Sequence, residues 1–141
     1  MIYTPLTKKA MLFAYRAHLN QYDKSGMPYI FHPFHLAETM PDEITAATAL
    51  LHDVVEDTPV SFSDLEQEGF PEEVIDALRL LTRQDDQDYF EYVTQIKNSP
   101  IARAVKIADL KHNSDLSRLD TVDEKAVKRL KKYQKSLEIL T

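Results

Sequence analysis

A chain of 141 residues that is 43% hydrophobic and 28% charged can bury one core and is too short for two, so a single domain over residues 1–141 is expected. Its two glycines, Gly26 and Gly69, cannot assemble a Gly-rich phosphate loop, and the absence of cysteine closes both disulfide frameworks and thiolate zinc sites. The net charge of −6 argues against a nucleic-acid partner, and no apolar run approaches the ~18 residues of a membrane span, so a soluble, cytoplasmic protein is expected.

Thr4-Pro5 pairs a capping residue with proline at a first helical position, and Ala10, Leu12, Phe13, Ala14, Ala17 and Leu19 carry a helix to about Asn20. The polar break from Gln21 to Pro28 reads as a surface loop, a kind of segment that often holds ligand contacts. Next, Pro33 suits a first helical position, which puts His32 at a helix mouth; His35 is a further imidazole whose simplest reading is an ordinary helix residue. Asp42 and Glu43 suit the positive end of the helix that follows.

That helix, Ile44 through Val55, is apolar around much of its surface and should be buried, yet His52, Asp53, Glu56 and Asp57 interrupt it. A carboxylate buried alone changes its protonation state sooner than keep its charge, so the cluster needs a partner, and a divalent cation is the simplest. His52 and Glu56 are spaced i,i+4, as are Asp53 and Asp57, so the pairs stack on neighbouring faces. His52 and Asp53 can reach one ion while Glu56 and Asp57, a turn on, handle a water molecule. The plainer alternative is a His satisfied by a backbone carbonyl beside a solvated acidic helix end.

Ser61 to Glu66 has capping-box character and leads into a short helix that Gly69 can close. Pro71 opens another with a stripe of Val74, Ile75, Ala77, Leu78, Leu80 and Leu81, and the acidic loop Gln84 to Asp88 precedes a helix carrying Tyr89, Phe90, Val93 and Ile96. After Ser99-Pro100, Ile101, Val105 and Ala108 define an inward stripe on which Asp109 and Asn113 fall. Asp109 needs a partner, whether a metal, a salt bridge to Arg103 or Lys111, or a capping role, and His112 points elsewhere on the wheel. Lys125, Lys128, Arg129, Lys131, Lys132 and Lys135 make one terminal helix, Asp123 to Leu140, basic on a face whose simplest role is solvation. The periodicity gives seven or eight helices and no strand, an all-α fold.

His32, His52, Asp53 and Asp109 together offer two imidazoles and two carboxylates, a sulfur-free set that suits one Mn²⁺, Fe²⁺ or Zn²⁺ ion. The order His, His-Asp, Asp resembles the HD-domain metal-dependent phosphohydrolases. Three stretches, Gly26 to Pro33, Leu51 to Thr58 and Val105 to Asn113, are similar to the hydrolase domain of the RelA/SpoT family and its small stand-alone alarmone hydrolases. The resemblance implies a compact helical bundle in which His32, His52, Asp53 and Asp109 hold Mn²⁺, Glu56 and Asp57 are the catalytic acids, and Asn113 is an active-site residue. It implies removal of the 3′-pyrophosphate from guanosine tetra- or pentaphosphate, with Lys24, Ser25 and Tyr29 as candidate substrate contacts. The chain departs from the family at Asp23, where an arginine usually helps hold the nucleotide base. Another nucleotide, such as a deoxynucleoside monophosphate or NADPH, and a metal- or nucleotide-binding module without turnover are the alternatives; the oligomeric state is left open.

Overall fold

Side-chain caps set most helix boundaries. Thr4 and Thr7 form a reciprocal capping box at the start of α1 (Pro5–Ala17), and Ser61 and Asp64 do the same for α5 (Phe62–Gln67). Asp42, Asp88, Ser99 and Asp123 each accept from a backbone N–H in the first turn of α3 (Glu43–Leu51), α7 (Tyr89–Ile96), α8 (Pro100–Asn113) and α9 (Glu124–Leu140). In the computed structural model, which describes residues 1–141, these join α2 (Phe31–Glu38), α4 (Val54–Asp57), α6 (Glu72–Leu81) and a 3₁₀ turn at Leu116–Arg118. The fold is all-α; a lone bridge between Tyr22 and Pro28 closes the 21–28 loop.

Eight of the helices span six residues or more, in line with the seven or eight expected, and the single turn α4 stands apart because the run read as one helix from Ile44 to Val55 is broken. Asp53 sits at φ −107° and ψ 2°, outside helical values, so α3 stops at Leu51 and α4 is one turn that starts afresh at Val54. The break turns His52 and Asp53 out at a corner. A second difference is smaller: α2 begins at Phe31, so His32 lies within its first turn rather than ahead of it.

The core is built around α3, which packs against α1, α2, α6 and α8. Every residue from Thr45 to Leu51 is buried, and Thr48 satisfies its hydroxyl by donating to the Ile44 carbonyl at 2.8 Å. Leu50 and Leu51 join Leu36, Val54, Leu78, Val93 and Val105 in one cluster, each fully buried leucine contributing on the order of 2 kcal/mol. α9 closes the bundle over α7 and α8. No helix is long and apolar enough to cross a membrane.

Candidate metal centre and active site

The corner at His52 meets the first turn of α2 and the middle of α8, so three helices bring His32, His52 and Asp109 together. Their ligand atoms lie within 4.8 Å of one another, and the residues are 4%, 3% and 5% exposed. His32 Nε2 stands 2.8 Å and His52 Nε2 3.4 Å from Asp109 Oδ1. Asp53 borders this group, its Oδ2 3.0 Å from His52 Nε2 and accepting a hydrogen bond from the Tyr29 hydroxyl.

The chemistry of His52 tests whether a cation fits. The Ala49 carbonyl, left over at the end of α3, accepts from His52 Nδ1 at 2.7 Å. A carbonyl only accepts, so Nδ1 carries the hydrogen and a neutral ring keeps its lone pair on Nε2. That buried Nε2 has no hydrogen-bond partner, yet it faces two carboxylates. That nitrogen lies within 4.8 Å of a His32 nitrogen and an Asp109 oxygen, a group that could hold a cation, with Asp53 at its edge. Without one, a proton takes that place: burial opposes charge on the ring, but Asp53 and Asp109 outweigh it and hold the His52 pKa well above its ordinary value.

Asp109 is the hub. Burial opposes its charge, but the Lys106 ammonium, 3.0 Å from Oδ2, together with His32 and His52 holds its pKa well below the usual range. Lys106, three residues back on α8, is the ion-pair partner, not Arg103 or Lys111. Arg103 instead donates to the Leu140 carbonyl at 2.7 Å, tying α8 to the end of α9. Asn113 donates to Asp109 Oδ1 at 3.0 Å. His112, expected to point elsewhere, has its Nδ1 2.8 Å from His32 Nδ1.

Glu56 and Asp57 lie on α4, exposed at the surface one turn beyond Asp53. Partial burial, then the neighbouring Asp53 and Asp57, raise the Glu56 pKa; partial burial and Asp53 raise that of Asp57. A carboxylate with a raised pKa is a better proton acceptor, as a general base near neutral pH requires.

Beside the centre opens a cavity of about 340 Å³ whose lining includes Lys24, Ser25, Tyr29, His32 and Asn113, and also Arg118, Arg129 and Tyr133. Of the expected substrate contacts, only Lys24 has a free polar end. The Ser25 hydroxyl donates to the Arg118 carbonyl at 3.0 Å, fastening the loop to the 3₁₀ turn, and the Tyr29 hydroxyl is engaged with Asp53. Asp23 is also committed: its Oδ1 accepts from the backbone of Ser25 at 2.9 Å and Met27 at 3.0 Å, an Asx turn that shapes the loop, with Gly26 at φ 80°. Arg118 donates to the His112 carbonyl and to Asn113 Oδ1, at 2.9 and 3.3 Å. The basic face of α9 is not wholly solvated either, since Arg129 lines the cavity and Lys132 lies 3.9 Å over the Tyr89 ring.

An all-α bundle with two histidines and an aspartate converging beside a His-Asp corner defines an HD-domain protein. Its comparisons narrow the class. No family model matches the chain. A stretch of the bifunctional (p)ppGpp synthase/hydrolase SpoT of Escherichia coli K12 is 48% identical over 64 residues, covering 43% of this chain and 9% of that protein. A probable GTP pyrophosphokinase of Mycobacterium leprae is 30% identical over 148 residues, covering 96% of this chain and 18% of the relative. The chain thus spans less than a fifth of these curated relatives. A solved structure of a metazoan SpoT ortholog that hydrolyses ppGpp superposes with a TM-score of 0.77 at 25% identity, covering 99% of this chain and 85% of that one. In fold over nearly the whole chain, and in sequence over part of it, the protein is similar to the RelA/SpoT hydrolases.

Proposed function

We propose that the protein is a metal-dependent phosphohydrolase that converts guanosine 3′,5′-bis(diphosphate) and water to GDP and pyrophosphate. The observation that carries this reading is the buried His52 Nε2 facing Asp53 and Asp109 beside a cavity whose lining carries three cations and two carboxylates. The substrate follows from the relatives: a protein of Escherichia coli O157:H7 that is 48% identical over 64 residues is a guanosine-3′,5′-bis(diphosphate) 3′-pyrophosphohydrolase, and the metazoan ortholog hydrolyses ppGpp.

In this reading His32, His52, Asp53 and Asp109 hold the ion, and the mixed nitrogen and oxygen set favours Mn²⁺. Such an ion lowers the pKa of water and neutralises phosphoryl oxygens. Glu56, with Asp57 beside it, takes the proton of the attacking water. The P–O bond to the ribose 3′ oxygen breaks, pyrophosphate leaves with the water's oxygen, and the 3′ oxygen takes up a proton. Tyr29 and Lys106 hold the two ligand carboxylates in place, one by a hydrogen bond and one by an ion pair. Lys24, Arg118 and Arg129, against Asp23 and Asp115, give the cavity lining a net positive charge in a chain of net charge −6, which suits a polyphosphate.

Asp23 favours a second reading, hydrolysis of another nucleotide, since the family's base-holding cation is missing. Turnover by the Mn²⁺-loaded protein on guanosine 3′,5′-bis(diphosphate), NADPH and deoxynucleoside monophosphates separates the two. The highest kcat/KM on the alarmone is expected; a preference for either other substrate class overturns the assignment, and no turnover on any leaves a binding module.

A further inference from the structure

The metal reading does not account for His112. It lies three residues after Asp109 on α8, its ring parallel to that of His32 within 4° at a centroid separation of 5.0 Å, with the two Nδ1 atoms 2.8 Å apart. His35, one turn along α2 from His32, covers it at 4.1 Å. The imidazole thus meets His32 edge to edge in one plane and is stacked on a face by His35, and it borders an open groove of about 460 Å³ between α2 and α8.

Two ring nitrogens at hydrogen-bonding distance must share one proton: one is an N–H and the other a lone pair. Which is which decides what His32 offers at its other nitrogen. If His112 Nδ1 carries the hydrogen, a neutral His32 has its own on Nε2, where it donates to Asp109 Oδ1 2.8 Å away, and that nitrogen cannot bind a metal. If His32 Nδ1 carries it, Nε2 is a free lone pair among the carboxylates. A metal-binding imidazole commonly donates its second N–H to a carboxylate or carbonyl, both fixed acceptors. Here the acceptor is another imidazole, which can take either role.

We propose that His112 is a positioning residue that accepts the Nδ1 hydrogen of His32 and so sets the tautomer in which His32 Nε2 binds the metal. The inference rests on the metal reading above. On loading, His32 Nε2 gives up one proton, the shared proton passes from His112 Nδ1 to His32 Nδ1, and His112 Nε2 takes one proton from solvent. Both rings hold one proton each before and after, so the pair exchanges tautomers without changing charge.

Two measurements test this. Calorimetric titration with Mn²⁺ compares wild type, His112→Phe, which keeps a stacking ring without an acceptor, and His112→Asn, whose amide oxygen can accept from His32. The phenylalanine variant is expected to lose about 10- to 100-fold in affinity and the asparagine variant to stay near wild type, with unchanged thermal melts of the metal-free proteins. Nitrogen-15 spectra of the Zn²⁺-loaded wild type should show hydrogen on Nδ1 of His32 and on Nε2 of His112. Wild-type affinity in His112→Phe, or hydrogen on Nδ1 of His112 in the loaded protein, overturns the inference alone. A wild type that binds no divalent ion overturns the metal reading and this inference with it.

Discussion

Two regions of the molecule handle charge in opposite ways. Where α2, α3 and α8 meet, His32, His52 and Asp109 are buried and each sits beside a polar partner from another part of the cluster. At the cavity rim, formed by the 21–28 loop, the 3₁₀ turn and α9, the polar groups are largely half-buried or exposed, and several spend their hydrogen bonds on backbone. Buried charges are mutually dependent, so no member of the first set can change alone. Rim residues such as Asp23, whose bonds stay within its own loop, can change singly. On the proposed function, the buried region would fix the class of chemistry and the rim would tune the substrate.

Breaking the buried side should have the largest effect. Lys106→Met leaves Asp109 without its ammonium, and urea denaturation of the metal-free protein should show a loss of about 3–5 kcal/mol, part of it recovered by adding Mn²⁺. A loss under 1 kcal/mol would mean the pair is not a structural necessity. The rim counterpart is Arg129→Ala, which should raise KM for a polyphosphate roughly tenfold, as expected for a lost charged contact of about 1.5 kcal/mol, while leaving the denaturation midpoint nearly unchanged.

A pH profile sharpens the boundary between the regions. Because the Glu56 pKa is raised, a base at this position is protonated at higher pH than an ordinary carboxylate. Activity should be present above that raised pKa and lost as pH falls through it, with the acid limb of kcat above the ~4.3 of a free glutamate. Glu56→Gln should remove that limb while metal content, measured alongside, stays constant. The smallest effect is expected at Asp23. Asp23→Asn keeps an oxygen for the Ser25 and Met27 N–H groups and should shift stability by no more than about 0.5 kcal/mol, whereas Asp23→Ala should cost about 1 kcal/mol or more. Equal effects from both would remove the Asx turn as the reason for an aspartate there.

The all-α fold and the candidate cluster were legible for one reason: a charged residue on an apolar stripe is an anomaly that burial makes costly, and His52 and Asp109 both stand on such stripes. Most of the caps were legible too, since Thr4, Ser61 and Ser99 act through local geometry, whereas Asp42 was read only as a charge at the helix's positive end. The break at Asp53 was not, because the apolar pattern continues through Val54 and Val55 and periodicity does not register one residue leaving helical values. Lys106 and His112 were readable in principle, each three residues from Asp109 and so on its face, whereas Arg103 and Lys111 at six and two residues are not. The pairing of His112 with His32 was beyond sequence reasoning, as it depends on how α2 crosses α8. So were the contributions of Arg118 and Arg129, which reach the cavity from segments with no motif of their own.

The central claim is that one buried cluster binds a metal and a separate acid beside it performs the chemistry. The most direct test measures metal content and alarmone turnover on the same samples of wild type, Asp53→Ala and Glu56→Ala. The account predicts that Asp53→Ala loses both, while Glu56→Ala keeps its metal and loses turnover by about 10²- to 10⁴-fold. An Asp53→Ala protein that still hydrolyses the substrate, or a Glu56→Ala protein as active as wild type, would contradict it.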